Sequence, residues 1–415
     1  MMKNRKLRIC YFLPINSPHS INFLNSIHDR GHQLYYFSHE DLSFRLWKPK
    51  TNVNKTFEKQ SYVKNKSKIN SDLIINYFKS FYKPILSITP LVIKDILVRI
   101  YYFRISKSVK KQILKIGPDI VHAHYISRNG IYAYLSKFKP YILTIWGSDI
   151  RHDLMTKYQN RLFIKSLKNA DAVTSGSNEL LTISQDKGAI KENSHFIGMP
   201  GINISQFENV KVPKQFYEDM EIPTDAKVIF SPRAMNSLYR IDIIVEAFFN
   251  LERKIKNTFL ILLDYATDPD YLHYINCLVN KRTNKNKVKL LLDLPLPYPN
   301  INLLYAISSV TVSIPKTDGM PQTTYESFAA GCPVVGSDLS TYDGILDHEH
   351  SGLRVSGNSA KEVSDAIFRV ISEKTLREKI INNSKKIVLK YGNIYTETNK
   401  MENLYFSLIK ENMEL

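Results

Sequence analysis

The chain has 415 residues, of which 43% are hydrophobic, so two domains with separate cores are expected and long disorder is not. Residues 1–200 hold 32 basic and 13 acidic residues, whereas residues 201–415 hold 25 and 26, so the first half carries the whole net charge of +18. This asymmetry fits a polyanionic partner or membrane surface, although charge alone favours an ordinary basic surface. Cys10, Cys277 and Cys332 have no zinc or disulfide spacing, which excludes those scaffolds and indicates reduced cysteines.

The first 200 residues alternate short apolar runs with helical stretches. LRICYFL, HQLYYFS, DIVHAHY, YILTIWG and DAVTSGS are predicted strands. Between the first two, Ser17 is the predicted N-cap of a helix, Pro18 takes its first position and Gly31 follows its last turn. Buried strands alternating with helices are typical of a doubly wound parallel sheet. The apolar run near the N-terminus is short and broken by Pro14, so no signal peptide is predicted.

The same alternation starts again in the second half. KVIFSPR, TFLILLDY, KVKLLLDL, VTVSIPK and CPVVGSD are predicted strands, and FENVKVPKQFYEDMEIPTDAK, with Pro213 and Pro223, is a predicted linker. We therefore predict an α/β chain with two doubly wound domains, residues 1–205 and 206–390. A final helix over residues 391–415 is predicted to pack back towards the first domain.

Residues 45–112 interrupt this alternation. They are rich in Lys, Tyr and Phe, and they are predicted to form two helices with apolar faces and basic flanks. Lys94, Asp95 and Arg99 interrupt the longest apolar run, so no membrane-spanning helix is predicted. The insertion either lies on an anionic membrane surface or covers the edge of the first sheet with its lysines exposed, and both interpretations stay open.

Side chains that carry chemistry are expected just after strands, because ligands of doubly wound sheets bind at the carboxyl ends of strands. Arg233 follows the first strand of the second domain and Arg240 lies near the next helix start, where a guanidinium can bind a diphosphate. The alternative for either arginine is a surface ion pair. In TDGMPQTTYE, Asp318 fits a turn, while Thr323 and Glu326 fit a capping box.

Taken in order, seven segments resemble a family-4 retaining glycosyltransferase of the GT-B fold over nearly the whole chain. They are NSPHSINFLNSIHDRGH, PDIVHAHY, LTIWGSD, ADAVTSGSNEL, FIGMPGINISQF, SPRAMNSLYRIDIIVEAF and TDGMPQTTYESFAAGCPVVGSD. The last segment is similar to the family's motif of two acids separated by seven residues. The resemblance implies two Rossmann-like domains that face each other across a cleft, the first on the acceptor side and the second binding the nucleotide sugar.

The resemblance also implies roles at matched positions. Glu326 matches the acid that binds the ribose of the donor, Asp318 matches the acid beside the donor sugar, which is normally Glu, and Arg233 matches the phosphate-binding arginine. These three form the expected catalytic set. The loop and helix start whose backbone binds sugar and phosphate correspond to Gly319, Met320, Pro321, Gln322, Thr323 and Thr324.

The chain departs from the family pattern at several positions. The lysine that accompanies the arginine has no match, and of Tyr239 and Arg240, which stand there, Arg240 is the preferred donor-binding residue. The first loop lacks the paired glycines, so Asn16, Ser17 and His19 are expected to line the cleft.

Further departures follow the middle strands of the first domain. Trp146 stands where many relatives have a histidine near the donor sugar, and Asp149 is expected to be a cleft residue. His122 and His124 either face the cleft or are packed in the core. The nucleotide base is expected near residues 290–297, by position after a strand.

The implied reaction moves a sugar from a nucleoside diphosphate sugar, of the UDP or GDP type, to a hydroxyl of a glycan or a polyprenyl-diphosphate-linked acceptor, with retention of configuration. Bacterial surface polysaccharide or glycoconjugate synthesis is the expected setting. No metal or other cofactor is expected, since arginines stand in for the metal. The expected location is the cytoplasm, at the inner face of an anionic cytoplasmic membrane.

Three other functions stay open. A GT-B epimerase would act on the same donor and form an epimer without transfer. A non-catalytic GT-B partner subunit would fit the missing lysine and the aspartate at position 318. A nucleic-acid-binding protein would use the basic half, but the sequence contains no recognised nucleic-acid module, so no such partner is predicted.

Overall fold

The computed structural model describes residues 5–15, 17–38, 42–49, 91–151, 156–198, 200–263, 267–291, 300–319 and 322–414. The chain divides into two compact units, with a boundary between Pro200 and Gly201. The second unit ends at Thr396, and the residues from Glu397 onward belong to the first unit.

The first unit is built on a mostly parallel sheet. Its strands are β1 (Arg8–Phe12), β2 (Gln33–Ser38), β3 (Ser43–Leu46), β4 (Ile120–His124), β5 (Tyr141–Thr144), β6 (Ala172–Ser175) and β7 (Ser194–Phe196). The helices are α1 (Pro18–His28), α2 (Leu91–Ile116), α3 (Ile126–Ser136), α4 (Ser148–Arg151), α5 (Lys157–Lys168) and α6 (Asn178–Asp186). The strand order is β3-β2-β1-β4-β5-β6-β7, in which only β2 and β3 pair antiparallel.

Strand β1 is buried on both faces. Ile9 and Tyr11 pack in the core on one face, and Cys10 and Phe12 pack in the core on the other. Such a strand requires a continuous apolar run, which is why it could be predicted. Helix α1 also begins as predicted, with Ser17 as N-cap and proline in its first turn.

The second unit contains a fully parallel sheet. Its strands are β8 (Lys227–Ser231), β9 (Thr258–Leu263), β10 (Val288–Leu291), β11 (Ser308–Ser313), β12 (Val334–Ser337) and β13 (Leu353–Val355), in the order β10-β9-β8-β11-β12-β13. The helices are α7 (Lys214–Asp219), α8 (Ile241–Glu252), α9 (Pro269–Asn280), α10 (Ile301–Ile307), α11 (Gln322–Ala329), α12 (Ala360–Ser372) and α13 (Lys374–Tyr391).

The predicted linker belongs to the second unit. Helix α7 begins directly after Pro213, and Phe207 and Phe216 are buried in the core of this unit. The two prolines therefore bound a short packed helix, and the linker interpretation is wrong because Phe216, between them, and Phe207, before them, bury apolar surface.

The last helix, α14 (Ile394–Glu414), contributes Tyr405 to the core of the first unit. The Tyr405 hydroxyl lies 3.0 Å from the Tyr11 hydroxyl and 2.7 Å from His122 Nδ1, and His122 Nε2 lies 2.6 Å from Thr144 Oγ1. Burial, with the nearby His124, holds the pKa of His122 well below its ordinary value. His122 is therefore a hydrogen-bonded core residue, the second of its two interpretations.

The prediction of an α/β chain with two Rossmann-like parallel sheets is confirmed. Within the 45–112 insertion, α2 is the second predicted helix, whereas the first falls in residues 50–90, outside the described residues. None of the helices in the described parts of the chain combines the length and the apolar character needed to cross a bilayer.

Candidate active site

Two predicted catalytic residues meet at the carboxyl edge of the second sheet. Strands β8 and β11 are parallel neighbours, so Arg233, which follows β8, lies beside Asp318, which follows β11. Nη2 of Arg233 donates a hydrogen bond to Oδ2 of Asp318, and Nε donates to Ser313 Oγ at 2.7 Å. The two side chains are only 9% and 14% exposed, so they form a largely buried ion pair.

Tyr342 completes this cluster and was not predicted from the sequence. It follows β12, is fully buried, and donates its hydroxyl to Oδ2 of Asp318 at 2.6 Å. Burial and the Asp318 carboxylate raise the pKa of Tyr342 well above its ordinary value, so the phenol keeps its proton and remains a donor. In the sequence Tyr342 is recognisable only as a tyrosine shortly after a strand. Its partner, Asp318, lies 24 positions away, so no local pattern connects the two residues.

The cluster holds a positive charge in a fixed place. Besides the contacts with Asp318 and Ser313, the Arg233 guanidinium lies 5.0 Å from the centre of the Tyr239 ring. Removing one partner of such a buried pair typically costs about 3–5 kcal/mol, because the other charge is left buried. A fixed guanidinium at the carboxyl end of a parallel sheet can bind an anionic ligand.

Glu326 lies in α11, the helix that follows the Asp318 loop, and has a different partner. The Tyr305 hydroxyl donates to Glu326 Oε2 at 2.8 Å, and it also lies 3.3 Å from the carbonyl oxygen of Thr323. Helix α11 begins at Gln322, so Thr323 lies within its first turn and cannot be the N-cap. The capping-box prediction is therefore wrong. Burial raises the pKa of Glu326 to about 7, although the Tyr305 hydroxyl and the charge of Arg233 oppose that rise.

The loop between these acids is described only in part. The Gly319 N–H donates to Asp318 Oδ1 at 2.9 Å, and the Gly319 carbonyl accepts from Thr341 Oγ1 at 3.0 Å. Gln322 and Thr324 are buried in the first turn of α11. Met320 and Pro321, both predicted to bind the donor, lie outside the described residues.

Arg240 reaches the same edge of the sheet by another route. It has a left-handed backbone, with φ of 52°, and its Nη1 donates to the Ser356 carbonyl at 3.2 Å. The loop after β13 lies very close to Arg240. If Gly357 carried a Cβ atom, that atom would lie 2.6 Å from Nη1 of Arg240 and 3.3 Å from Cβ of Ile314, the residue that follows β11. Tyr239 and Arg240 are the two residues that stand where relatives have the lysine. Tyr239 contacts Arg233, whereas Arg240 lies against the loop after β13.

The predicted cleft residues of the first unit have unequal surroundings. His19 is exposed in the first turn of α1 and Ser17 is partly exposed, whereas Asn16 lies outside the described residues. Asp149 is 2% exposed, and its carboxylate accepts hydrogen bonds from the backbone N–H groups of Ile126, Trp146 and Gly147. The buried Asp149 carboxylate therefore connects the loop after β4 to the loop after β5. It was predicted instead to line the cleft.

Within the described residues, no group of three His, Cys, Asp or Glu side chains is arranged to hold a metal ion. Residues 290–297 were predicted to recognise the nucleotide base. Most of this segment lies within residues 292–299, which the structure does not describe.

Comparison with known proteins agrees with this geometry. Residues 214–387 match the family of glycosyl transferases group 1, and residues 79–177 match the glycosyl transferase 4-like family. The chain is a group 1 glycosyltransferase. The first match contains β8 to β13, and so includes Arg233, Asp318 and Glu326. A search of curated proteins finds no match to this glycosyltransferase.

Solved structures share its fold, which is GT-B. A glycosyltransferase from Rickettsia africae ESF-5 is 17% identical, with a TM-score of 0.71 over 98% of this chain and 99% of that one. Anabaena HepE in complex with UDP is 13% identical, with a TM-score of 0.69 over 97% and 100%. Sucrose-phosphate synthase from Thermosynechococcus elongatus is 14% identical, with a TM-score of 0.68 over 98% and 100%.

Proposed function

We propose that this glycosyltransferase moves a sugar from a UDP-sugar to a hydroxyl of a glycan or lipid-linked acceptor, with retention of configuration. The observation that carries the proposal is the Arg233–Asp318–Tyr342 cluster, with Glu326 on the adjoining helix. HepE is described in complex with UDP and with UDP-glucose, which favours a uridine donor over a guanosine donor.

Arg233 is the group that would stabilise the leaving diphosphate. When the bond between the sugar and the phosphate oxygen breaks, negative charge develops on the diphosphate, and a preorganised guanidinium stabilises that charge. The acceptor oxygen forms the new bond to the sugar on the same face, and its proton passes to the departing phosphate oxygen. No protein nucleophile and no metal is required in this scheme, because the guanidinium supplies the charge.

Asp318 and Glu326 would bind the two sugar rings of the donor. In this proposal Asp318, held by Tyr342 and the Gly319 N–H, accepts hydrogen bonds from hydroxyls of the transferred sugar. Glu326 accepts hydrogen bonds from the ribose, beside the Tyr305 hydroxyl. Backbone N–H groups of the first turn of α11, from Gln322 to Thr324, contribute further donors to sugar and phosphate. Arg240 is the second candidate for contact with the diphosphate.

The acceptor side is proposed to be the first unit, with Ser17 and His19 among its contacts and an anionic membrane beneath it. Helix α2 supports the membrane contact, since it carries seven basic residues and one acidic residue. Its exposed apolar side chains, Ile93, Ile96, Ile100 and Phe103, recur every three or four positions and so share one face. This pattern fits a helix that lies on an anionic bilayer, and we propose a cytoplasmic enzyme that builds bacterial surface polysaccharide or glycoconjugate at the inner face of the cytoplasmic membrane.

The direct test is mass spectrometry, with proton NMR for the anomeric configuration and for epimers, of products formed from a mixed panel of UDP- and GDP-sugars with lipid-linked acceptors. A glycosylated acceptor with the anomeric configuration of the donor is the expected result. An epimerised donor, or titration calorimetry without binding of any nucleotide sugar, would contradict the proposal in favour of an epimerase or a non-catalytic subunit.

A further inference from the structure

Aromatic side chains gather at the carboxyl ends of three strands in the first unit. His19 follows β1, Tyr125 follows β4 and Trp146 follows β5, and these strands are consecutive in the sheet. The Trp146 ring centre lies 6.1 Å from that of His19 and 6.3 Å from that of Tyr125. His19 and Tyr125 are exposed and Trp146 is partly exposed. We call these three side chains the aromatic platform.

A buried histidine fixes the central ring of the aromatic platform. The Trp146 indole N–H donates to Nδ1 of His124 at 3.3 Å, and His124 is 1% exposed. Burial lowers the pKa of His124 to about 3, so the imidazole is neutral and can accept this bond. Because an indole N–H can only donate, Nδ1 must be the accepting nitrogen and Nε2 carries the proton.

One carboxylate holds the backbone on both sides of the aromatic platform. Asp149 accepts from the N–H of Ile126, next to Tyr125, at 2.7 Å and from the N–H of Trp146 at 3.1 Å. The Tyr125 hydroxyl lies 3.0 Å from Ser148 Oγ, which ties the same two loops together. Single exposed aromatic residues need no explanation, but here three strand ends bring rings together, and the buried His124 and Asp149 hold the central ring and the backbone beside it. The three rings therefore form a preorganised surface.

We infer that the aromatic platform binds a pyranose ring of the acceptor, an inference that rests on the proposed transfer to a glycan and that assigns Trp146 to a different sugar from the donor sugar near which many relatives have a histidine. The C–H groups on one face of a pyranose carry partial positive charge and pack against the electron-rich face of an aromatic ring. His19 and Tyr125 stand at 80° and 88° to the indole. A chair-shaped ring offers C–H groups on its face and its edge, so it can contact perpendicular rings at once. The hydroxyls of Tyr125 and Ser148 can bond the sugar hydroxyls.

Saturation-transfer NMR on the full chain tests this inference with methyl glycosides of glucose, galactose and N-acetylglucosamine as probes. The glycosides should receive saturation mainly on ring protons of one face, and D-glucitol, which has similar hydroxyls but no ring, should receive little. Trp146→Leu should weaken glycoside binding about three- to tenfold, the value of one aromatic contact, and Trp146→Phe should lose less. Tyr274→Leu, which removes an aromatic side chain of the second unit that is 49% exposed, is the matched control.

Calorimetry with UDP on the same variants separates this inference from the proposed function. Unchanged UDP affinity in Trp146→Leu would show that the second unit is folded and that the aromatic platform does not serve the nucleotide, and an unchanged far-UV circular dichroism spectrum would show the same for the fold of the first unit. Glycoside binding that is equal in Trp146→Leu and wild type, or no binding of any glycoside up to about 100 mM, would overturn the inference while leaving donor binding intact. Glycosides that bind at Trp146 in a protein that binds no UDP would instead overturn the proposed transfer.

Discussion

The Arg233 guanidinium and the Asp318 carboxylate are mostly buried, so each depends on the other for its charge to be tolerated. In the proposed complex a diphosphate would share the guanidinium and would also repel the Asp318 carboxylate. The Tyr342 hydroxyl and the Gly319 N–H both donate to that carboxylate, and so they offset this repulsion. At the residue scale, the site therefore consists of one cation and the groups that keep an acid close to it.

The role of Asp318 can be tested with Asp318→Asn, which keeps the size of the side chain and removes its charge. We expect turnover of the donor to fall about 100-fold or more, as for loss of a group that acts on the transition state. Steady-state kinetics with a UDP-sugar measures this fall. Asp365→Asn is the matched control, since Asp365 is paired with Lys254 and Lys361 on the surface of the same unit. Turnover within twofold of wild type in Asp318→Asn would remove Asp318 from the site.

The raised pKa of Glu326, about 7, predicts how nucleoside binding depends on pH. A ribose hydroxyl bonds better to the carboxylate than to the protonated acid, so affinity should rise as pH increases through 7. Uridine, which has no phosphate to titrate, should bind about tenfold more tightly at pH 8 than at pH 6. Calorimetry at the two pH values measures this, and Glu326→Gln should show a flat profile. A flat profile in the wild type would contradict the ribose assignment.

The two acids and the arginine could be proposed as site residues because each carries a local signal, although their roles came from the family resemblance. Asp318 and Glu326 flank a helix start, and Arg233 follows a strand. Tyr342 and Tyr305 could not, because a tyrosine after a strand or in a helix is usually core. Only the parallel pairing of the strands brings Tyr342 to Asp318.

At the scale of elements, α2 has two faces with different partners. Tyr102, Ile105, Val109 and Ile113 are buried in the core of the first unit. On the opposite face, apolar side chains that are 46–61% exposed are interspersed with lysine and arginine, and Lys107 lies over the ring of Phe103. A helix that only covered the sheet edge would not need this second apolar face, so the pattern favours the membrane interpretation.

The exposed face of α2 predicts salt-sensitive binding to vesicles that contain phosphatidylglycerol. Replacing Ile96, Ile100 and Phe103 with serine removes apolar contact but keeps the charge, and it should weaken binding about tenfold or more. Vesicle flotation at low and high salt measures this.

A matched control replaces three apolar side chains with similar exposure elsewhere, Ile164, Leu389 and Tyr395. It should bind vesicles as the wild type does. If both triple variants bind equally well, or if the wild type does not float at low salt, α2 is not a membrane contact.

Most central strands could be predicted because they are buried on both faces and so need continuous apolar runs. The edge strand β3 was missed, since Ser43–Leu46 is half exposed and lacks such a run. Helix α7 was missed because two prolines, Pro213 and Pro223, are typical of a linker. The segment between them nevertheless packs into the core of the second unit through Phe216. Exposure at an edge and packing between distant residues are set by the tertiary structure, which a local pattern does not contain.

At the scale of the whole molecule, the two halves of the chain differ in net charge, and this difference parallels the functions that are proposed for them. The basic excess lies in residues 1–200, where the membrane and the acceptor are proposed to bind. Residues 201–415 are nearly neutral, so donor binding there depends on a few placed cations, of which Arg233 is the best held. Long-range attraction would bring the enzyme to an anionic surface, while donor selection rests on short-range contacts.

The central claim is that Arg233 binds the diphosphate of the donor, and calorimetry with UDP and uridine tests it most directly. The double variant Arg233→Ala/Asp318→Asn avoids a buried unpaired carboxylate, and Arg369→Ala/Glu373→Gln, which removes a surface pair in the same unit, is the control. The account predicts UDP binding about 30- to 150-fold weaker in the first variant, from the roughly 2–3 kcal/mol of a charge-assisted contact, with uridine binding unchanged. Equal losses for UDP and uridine, or no loss of UDP affinity, would contradict it.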